Sequence, residues 1–154
     1  MKQARTAPNV SAKEREIIDQ YKLLGEKESV DNLEGLLAHI DFQLDDKQRI
    51  VTHYKTILED IERREKAADG VLRTSASPRD QREMKEMLAN LAEERHEVER
   101  RKLGVDNFIT EYEMRRKHFP VERINEARRV AEAKARARYT RLSDAYDGNL
   151  GSLR

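Results

Sequence analysis

LRTSASPRD, residues 72–80, interrupts a long alternation of polar and apolar residues. Its reading decides the fold. As the tip of a helical hairpin it brings two arms together; as a joint it leaves an extended rod. Ser75, Ser77 and Pro78 are turn formers. Ser77 can cap the helix that follows, with Pro78 in the first helical position, where its missing N–H is not needed. Asp80 puts a negative charge in that first turn, where the helix dipole favours it. The stretch therefore launches a helix, and its neighbours on both sides set the length of the arms.

Upstream, Leu33, Leu37, Ile40, Leu44, Lys47, Val51, Tyr54, Leu58, Ile61, Glu65, Ala68 and Leu72 recur at alternating steps of four and three. Only Lys47 and Glu65 are charged. A heptad sustained this long predicts a coiled-coil seam, and Leu36, Ile50 and Ile57 widen it. Downstream, a second heptad runs through Met84, Leu88, Leu91, Arg95, Val98, Lys102, Val105, Ile109, Tyr112, Arg116 and Phe119. Arg95, Lys102 and Arg116 weaken this seam, although long basic side chains can lay their stems on apolar surface. A charged seam position can also fix register.

Residues 33–72 span 40 residues, about 60 Å of helix. Residues 84–119 span 36. Nearly equal arms around a short polar link predict an antiparallel hairpin. Folding about the link would bring Ile61 near Leu91, Tyr54 near Val98 and Leu44 near Ile109. The other arrangement is a rod whose seams face other chains.

The flanks complete an all-α plan. Residues 1–10 read as a flexible tail. Ser11 is placed to act as an N-cap, with Glu14 at capping-box spacing. Residues 11–72 form the first arm, with Ile17, Tyr21 and Leu24 on one face and a break expected near Gly25. The link is 73–78 and the second arm 79–119. Pro120 should end or kink that helix. An Ala-rich basic helix follows at 121–146, with Ile124, Ala131, Ala135, Tyr139, Leu142 and Tyr146 near one face. DGNLGSLR, residues 147–154, reads as a flexible end. The fold class is thus long coiled-coil helices, an antiparallel hairpin with an additional basic C-terminal helix.

Composition agrees. The chain is 40% charged, 37% hydrophobic and 5% aromatic. Globular domains average about a quarter charged. A compact core would be poor in material, whereas a stripe along a helix needs less. Absence of Cys excludes disulfides and thiolate metal sites. No apolar run reaches the roughly 20 residues that span a bilayer. The start, MKQARTAPNVS, has no apolar segment of the kind a secretory signal needs.

Chemistry-bearing patterns are scarce. His39, His53, His96 and His118 show no zinc-binding spacing. Asp45-Asp46 and Glu93-Glu94 read as solvated faces. There is no glycine-rich phosphate loop and no nucleophile elbow. The expectation is a protein with no enzymatic activity, no cofactor and no metal.

Charge is distributed unevenly. Residues 26–69 hold twelve acidic and seven basic residues; residues 113–141 hold four acidic and ten basic. Arg115, Arg116, Lys117, Arg123, Arg128, Arg129, Lys134, Arg136, Arg138 and Arg141 are candidates for contact with an anionic surface. Acidic protein surfaces such as those of microtubules rank first and nucleic acid second. Lipid ranks last, because the apolar face is mostly Ala and lacks bulky anchors. Glu122, Glu126 and Glu132 could instead neutralise the basic residues within the helix.

In its helical plan the chain resembles small coiled-coil subunits of cytoskeletal and ciliary assemblies, and also the stalk subunits of export-type ATPases. The likeness is one of architecture. It implies a structural subunit that bridges proteins, in a cytoplasmic, cytoskeletal or ciliary setting. Leu33, Leu37, Ile40, Leu44, Val51, Tyr54, Leu58 and Ile61 would form one partner-helix seam, and Leu88, Leu91, Val98, Val105, Ile109 and Tyr112 the other. The alternatives are a regulatory hairpin of an export-type ATPase and a basic-helix nucleic-acid-binding protein.

Overall fold

The computed structural model describes residues 11–152, with side chains described to residue 146. The expected tail at 1–10 lies outside these. Among the described residues there are four helices and no strand: α1 (Ala12–Lys27), α2 (Val30–Thr74), α3 (Pro78–His118) and α4 (Val121–Ser152). The all-α class holds.

Caps explain the boundaries. The first four N–H groups of a helix lack intrahelical partners, and a Ser hydroxyl at the N-cap accepts from one of them. Ser11 Oγ accepts from Glu14 N at 3.1 Å and starts α1. Ser29 Oγ accepts from Asn32 N at 3.2 Å and starts α2. Ser77 Oγ accepts from Asp80 N at 3.4 Å and starts α3, with Pro78 first in the helix.

Two boundaries differ from expectation. Gly25 does not break the first arm; α1 runs through it, and the chain leaves the helix at Glu28 and Ser29. A single Gly costs a helix about 1 kcal/mol without ending it, whereas Ser29 supplies a new start. At the other end, α4 continues past residue 146 to Ser152. DGNLGS contains no Pro, so nothing in it forbids the helical backbone.

The link at 75–77 is held from both sides. The last carbonyls of α2 have no partner within the helix. Gln81 Nε2 donates to Leu72 O at 2.8 Å and to Ser75 O at 2.9 Å, and Ser75 Oγ donates to Asp80 Oδ2 at 2.8 Å. The first turn of α3 thus caps the end of α2.

The chain divides into two compact units. One, residues 39–116, consists of α2 and α3 on either side of the link. Its contacts run in antiparallel order. Asp41 accepts from Arg116 at 2.8 Å, Lys47 Nζ lies 5.2 Å from the Phe108 ring centroid, and Glu65 pairs with Arg95. Ile61, Leu91 and Val98 form its core cluster, with Tyr54, Ile57 and Leu58 packed against it. Burial of each large apolar side chain there is worth about 1.5–3 kcal/mol. All 23 heptad positions are buried or half-buried. The charged seam residues find partners: Glu65 and Arg95 oppose each other, and Lys102 bonds to Asp106 at 2.8 Å. These pairs are partly exposed and add little stability, but Glu65 and Arg95, which face each other across the two helices, favour one register.

The other unit comprises the residues up to 38 and those from 117 onward. Its buried apolar residues are Ile17 and Tyr21 on α1, Leu33 on α2, Phe119, and Ile124 on α4. Tyr21 and Phe119 meet as tilted rings with centroids 5.5 Å apart. Gly25 lies against Pro120: a Cβ at Gly25 would stand 2.8 Å from Pro120 Cβ. Arg123 donates to the carbonyl oxygen of Gly25, one of the orphan acceptors at the end of α1. At the other end of α1, Glu14 accepts from His118 at 2.8 Å and from Lys117 at 3.5 Å. α4 is thereby seated on α1 from its first residues.

Candidate functional site: the basic face of α4

The structure divides the ten basic candidates into two equal groups. Arg115, Arg116, Lys117, Arg123 and Arg128 are used by the chain itself. Arg115 pairs with Glu111 at 3.2 Å, Arg116 with Asp41 and Lys117 with Glu14. Arg123 holds Gly25 O, and Arg128 lies 3.6 Å from Glu34. Arg129, Lys134, Arg136, Arg138 and Arg141 are exposed. Among the described residues, none of these five has an ion pair with a carboxylate. The neutralisation expected from Glu122, Glu126 and Glu132 is not made.

This contrasts with α2 and α3, whose exposed charges are largely matched at i+3 and i+4. Arg49 pairs with Asp45, Arg73 with Asp69, and Arg79 with Glu83. Glu97 takes hydrogen bonds first from Arg100 and then from Arg101, which hold its carboxyl below the usual Glu value. Glu14 is likewise lowered, first by the hydrogen bond from His118 and then by Lys117, against an opposing effect of burial.

The free basic residues share their helix with an apolar strip. Ile124 is 1% exposed and belongs to the core, but beyond it the burial stops. Val130 is 48% exposed, Tyr139 75%, Leu142 62% and Tyr146 64%. Tyr139, Leu142 and Tyr146 are spaced i, i+3, i+7, so they share a face. At about 100° per residue, Ala135 lies on that same face, Arg138 borders it on one side and Arg136 and Glu132 on the other, while Glu126, Asp144 and Arg141 lie toward the back. The result is an Ala-rich helix with an exposed apolar strip, an Arg at each border and a back of mixed charge.

The two partner-helix seams have a different fate. Ile61, Leu91 and Val98 cover one another, with Tyr54 and Leu58 packed on them. Ile40 and Val51 are buried as well, and Leu44, Leu88, Val105, Ile109 and Tyr112 are half-buried. Leu33 is buried and Leu37 half-buried. These side chains are occupied inside the chain. The residues that spacing alone does not single out are those left outside. Val130 belongs to no heptad, and Tyr139, Leu142 and Tyr146 read from sequence only as lying near one face. Their i, i+3, i+7 spacing among unmatched Arg and Lys is the available signal.

Among the described residues, no group of three or more His, Asp or Glu could hold a metal ion. No described helix is long and apolar enough to cross a membrane. Comparison of the chain with protein-family models, curated proteins and solved structures finds no match.

Proposed function

We propose that this protein is a non-enzymatic helical linker that joins protein partners in a larger assembly, with the basic stretch of α4 docking on an acidic protein surface. One observation carries the reading. α2 and α3 match most of their charges, while Arg129, Lys134, Arg136, Arg138 and Arg141 remain unmatched on a helix that also exposes Tyr139, Leu142 and Tyr146. Most helical stability in proteins comes from packing of a face, and this face is exposed, so docking would stabilise it. A cytoskeletal or ciliary setting, with the microtubule as the acidic surface, is the favoured context.

The test is retention of the full chain on immobilised polyglutamate and on microtubules. The variant replaces the five free basic residues with Gln. The intact chain should bind, the variant should not, and binding should weaken as salt rises. Equal retention of the two proteins, or retention of neither, contradicts the reading.

A further inference from the structure

We infer that the occupant of the exposed face of α4 is an acidic amphipathic helix of a partner protein, rather than an irregular acidic tail. The inference rests on the acidic-surface reading above and specifies the partner's form. A purely electrostatic contact needs only the basic residues. Here the basic border runs beside Tyr139, Leu142 and Tyr146, which are 75%, 62% and 64% exposed. Anchors at i, i+3 and i+7 on one helix match the ridges of a second helix. The small side chain of Ala135 in the same strip permits close approach of a partner backbone.

Charge decides which helix fits. Arg138 and Arg136 flank the strip on its two sides and have no carboxylate partner among the described residues. A partner with apolar seam residues and Glu at the flanking positions would meet each of them across the seam. The same arrangement rejects a basic helix, since like charges at flanking positions set coiled-coil partner choice.

The experiment uses the full chain and a labelled synthetic peptide of about four heptads with Leu at seam positions and Glu at flanking positions. Comparison probes are a scrambled peptide of identical composition, polyglutamate, a Lys-flanked version of the peptide, and duplex DNA. Fluorescence anisotropy should show the Glu-flanked peptide binding at least about tenfold more tightly than the scrambled peptide or polyglutamate, in keeping with a seam contact that area and charge alone do not give. Leu142→Ser should remove most of that advantage. The combined variant Arg136→Glu, Arg138→Glu should prefer the Lys-flanked peptide, a switch that a merely weakened fold would not produce. Because these residues are exposed, helicity should be unchanged.

Equal binding of the Glu-flanked peptide, the scrambled peptide and polyglutamate would overturn this inference while leaving the acidic-surface reading in place. Failure of every acidic probe, or tighter binding of duplex DNA, would overturn both.

Discussion

Gly25→Ala should destabilise this protein, although Ala is the better helix former. In an open helical position the exchange gains about 1 kcal/mol. At Gly25 the new Cβ would stand 2.8 Å from Pro120 Cβ and 3.2 Å from Pro120 Cγ. Carbon atoms prefer separations of about 3.5–4.0 Å. The proline ring cannot swing away as a long side chain would, so α1 must shift. That shift would disturb the Tyr21–Phe119 ring contact and the bond from Arg123 to Gly25 O. Overpacking of this kind costs about 1–3 kcal/mol. Set against the gain in propensity, the net expectation is a loss of about 1 kcal/mol. Gly35 and Gly104 are the controls. They lie in α2 and α3, and a Cβ at either would meet nothing within 4 Å, so Ala there should gain about 1 kcal/mol. Urea unfolding followed by circular dichroism measures all three variants. The separation between Gly25→Ala and Gly35→Ala should be about 2 kcal/mol. A Gly25→Ala protein as stabilised as Gly35→Ala would refute the close approach of Pro120 to α1.

Three further outcomes follow from the same contacts. Ile61→Ala should lose about 2–5 kcal/mol in urea unfolding, because Ile61 is 1% exposed and packs with Leu91 and Val98; a loss under about 1 kcal/mol, typical of surface sites, would remove it from the core. Ser77→Ala should lose about 0.5–2 kcal/mol through the lost cap on α3, read in the same assay, with no change meaning that the link is held by Gln81 alone. Glu14 gives a pH dependence whose sign follows from its hydrogen bond with His118. Its folded pKa lies below the ordinary 4.5, so its contribution is full above that value and is lost as pH falls through the lowered one. The stability difference between the native chain and Glu14→Gln should therefore persist at neutral pH and vanish in acid; a difference that grows in acid would contradict the His118 contact.

Much of this fold is readable from residue spacing. The heptads beginning at Leu33 and Met84 land on the packed faces because a four-three period repeats the same side of a helix. Ser11, Ser77 and Pro78 mark helix starts by local chemistry that needs no tertiary context. The break at Ser29 is also local, but Gly25 draws the expectation four residues early. Gly25 is explained by Pro120, which is distant in sequence, so no local rule could reveal its purpose. The site shows the same division. That residues 113–141 are basic is plain from composition. That Arg116 is engaged by Asp41 and Arg123 by Gly25 O, while Arg138 and Arg141 are not, depends on how the chain folds back on itself. Spacing shows which side chains share a face, but tertiary contact determines which faces remain open.

Within residues 39–116, α2 and α3 pack on each other, and Tyr139, Leu142 and Tyr146 of α4 are exposed. Glu65 and Arg95 pair across the two helices, and the chain has no native Cys. The most direct measurement is therefore cross-linking of a Glu65→Cys, Arg95→Cys protein with a short bifunctional thiol reagent over a range of protein concentrations. An internal cross-link in the monomer, with a yield independent of concentration, is the predicted result. Cross-linked dimers whose yield rises with concentration would place the partner of the α2 seam in another chain and contradict this pairing.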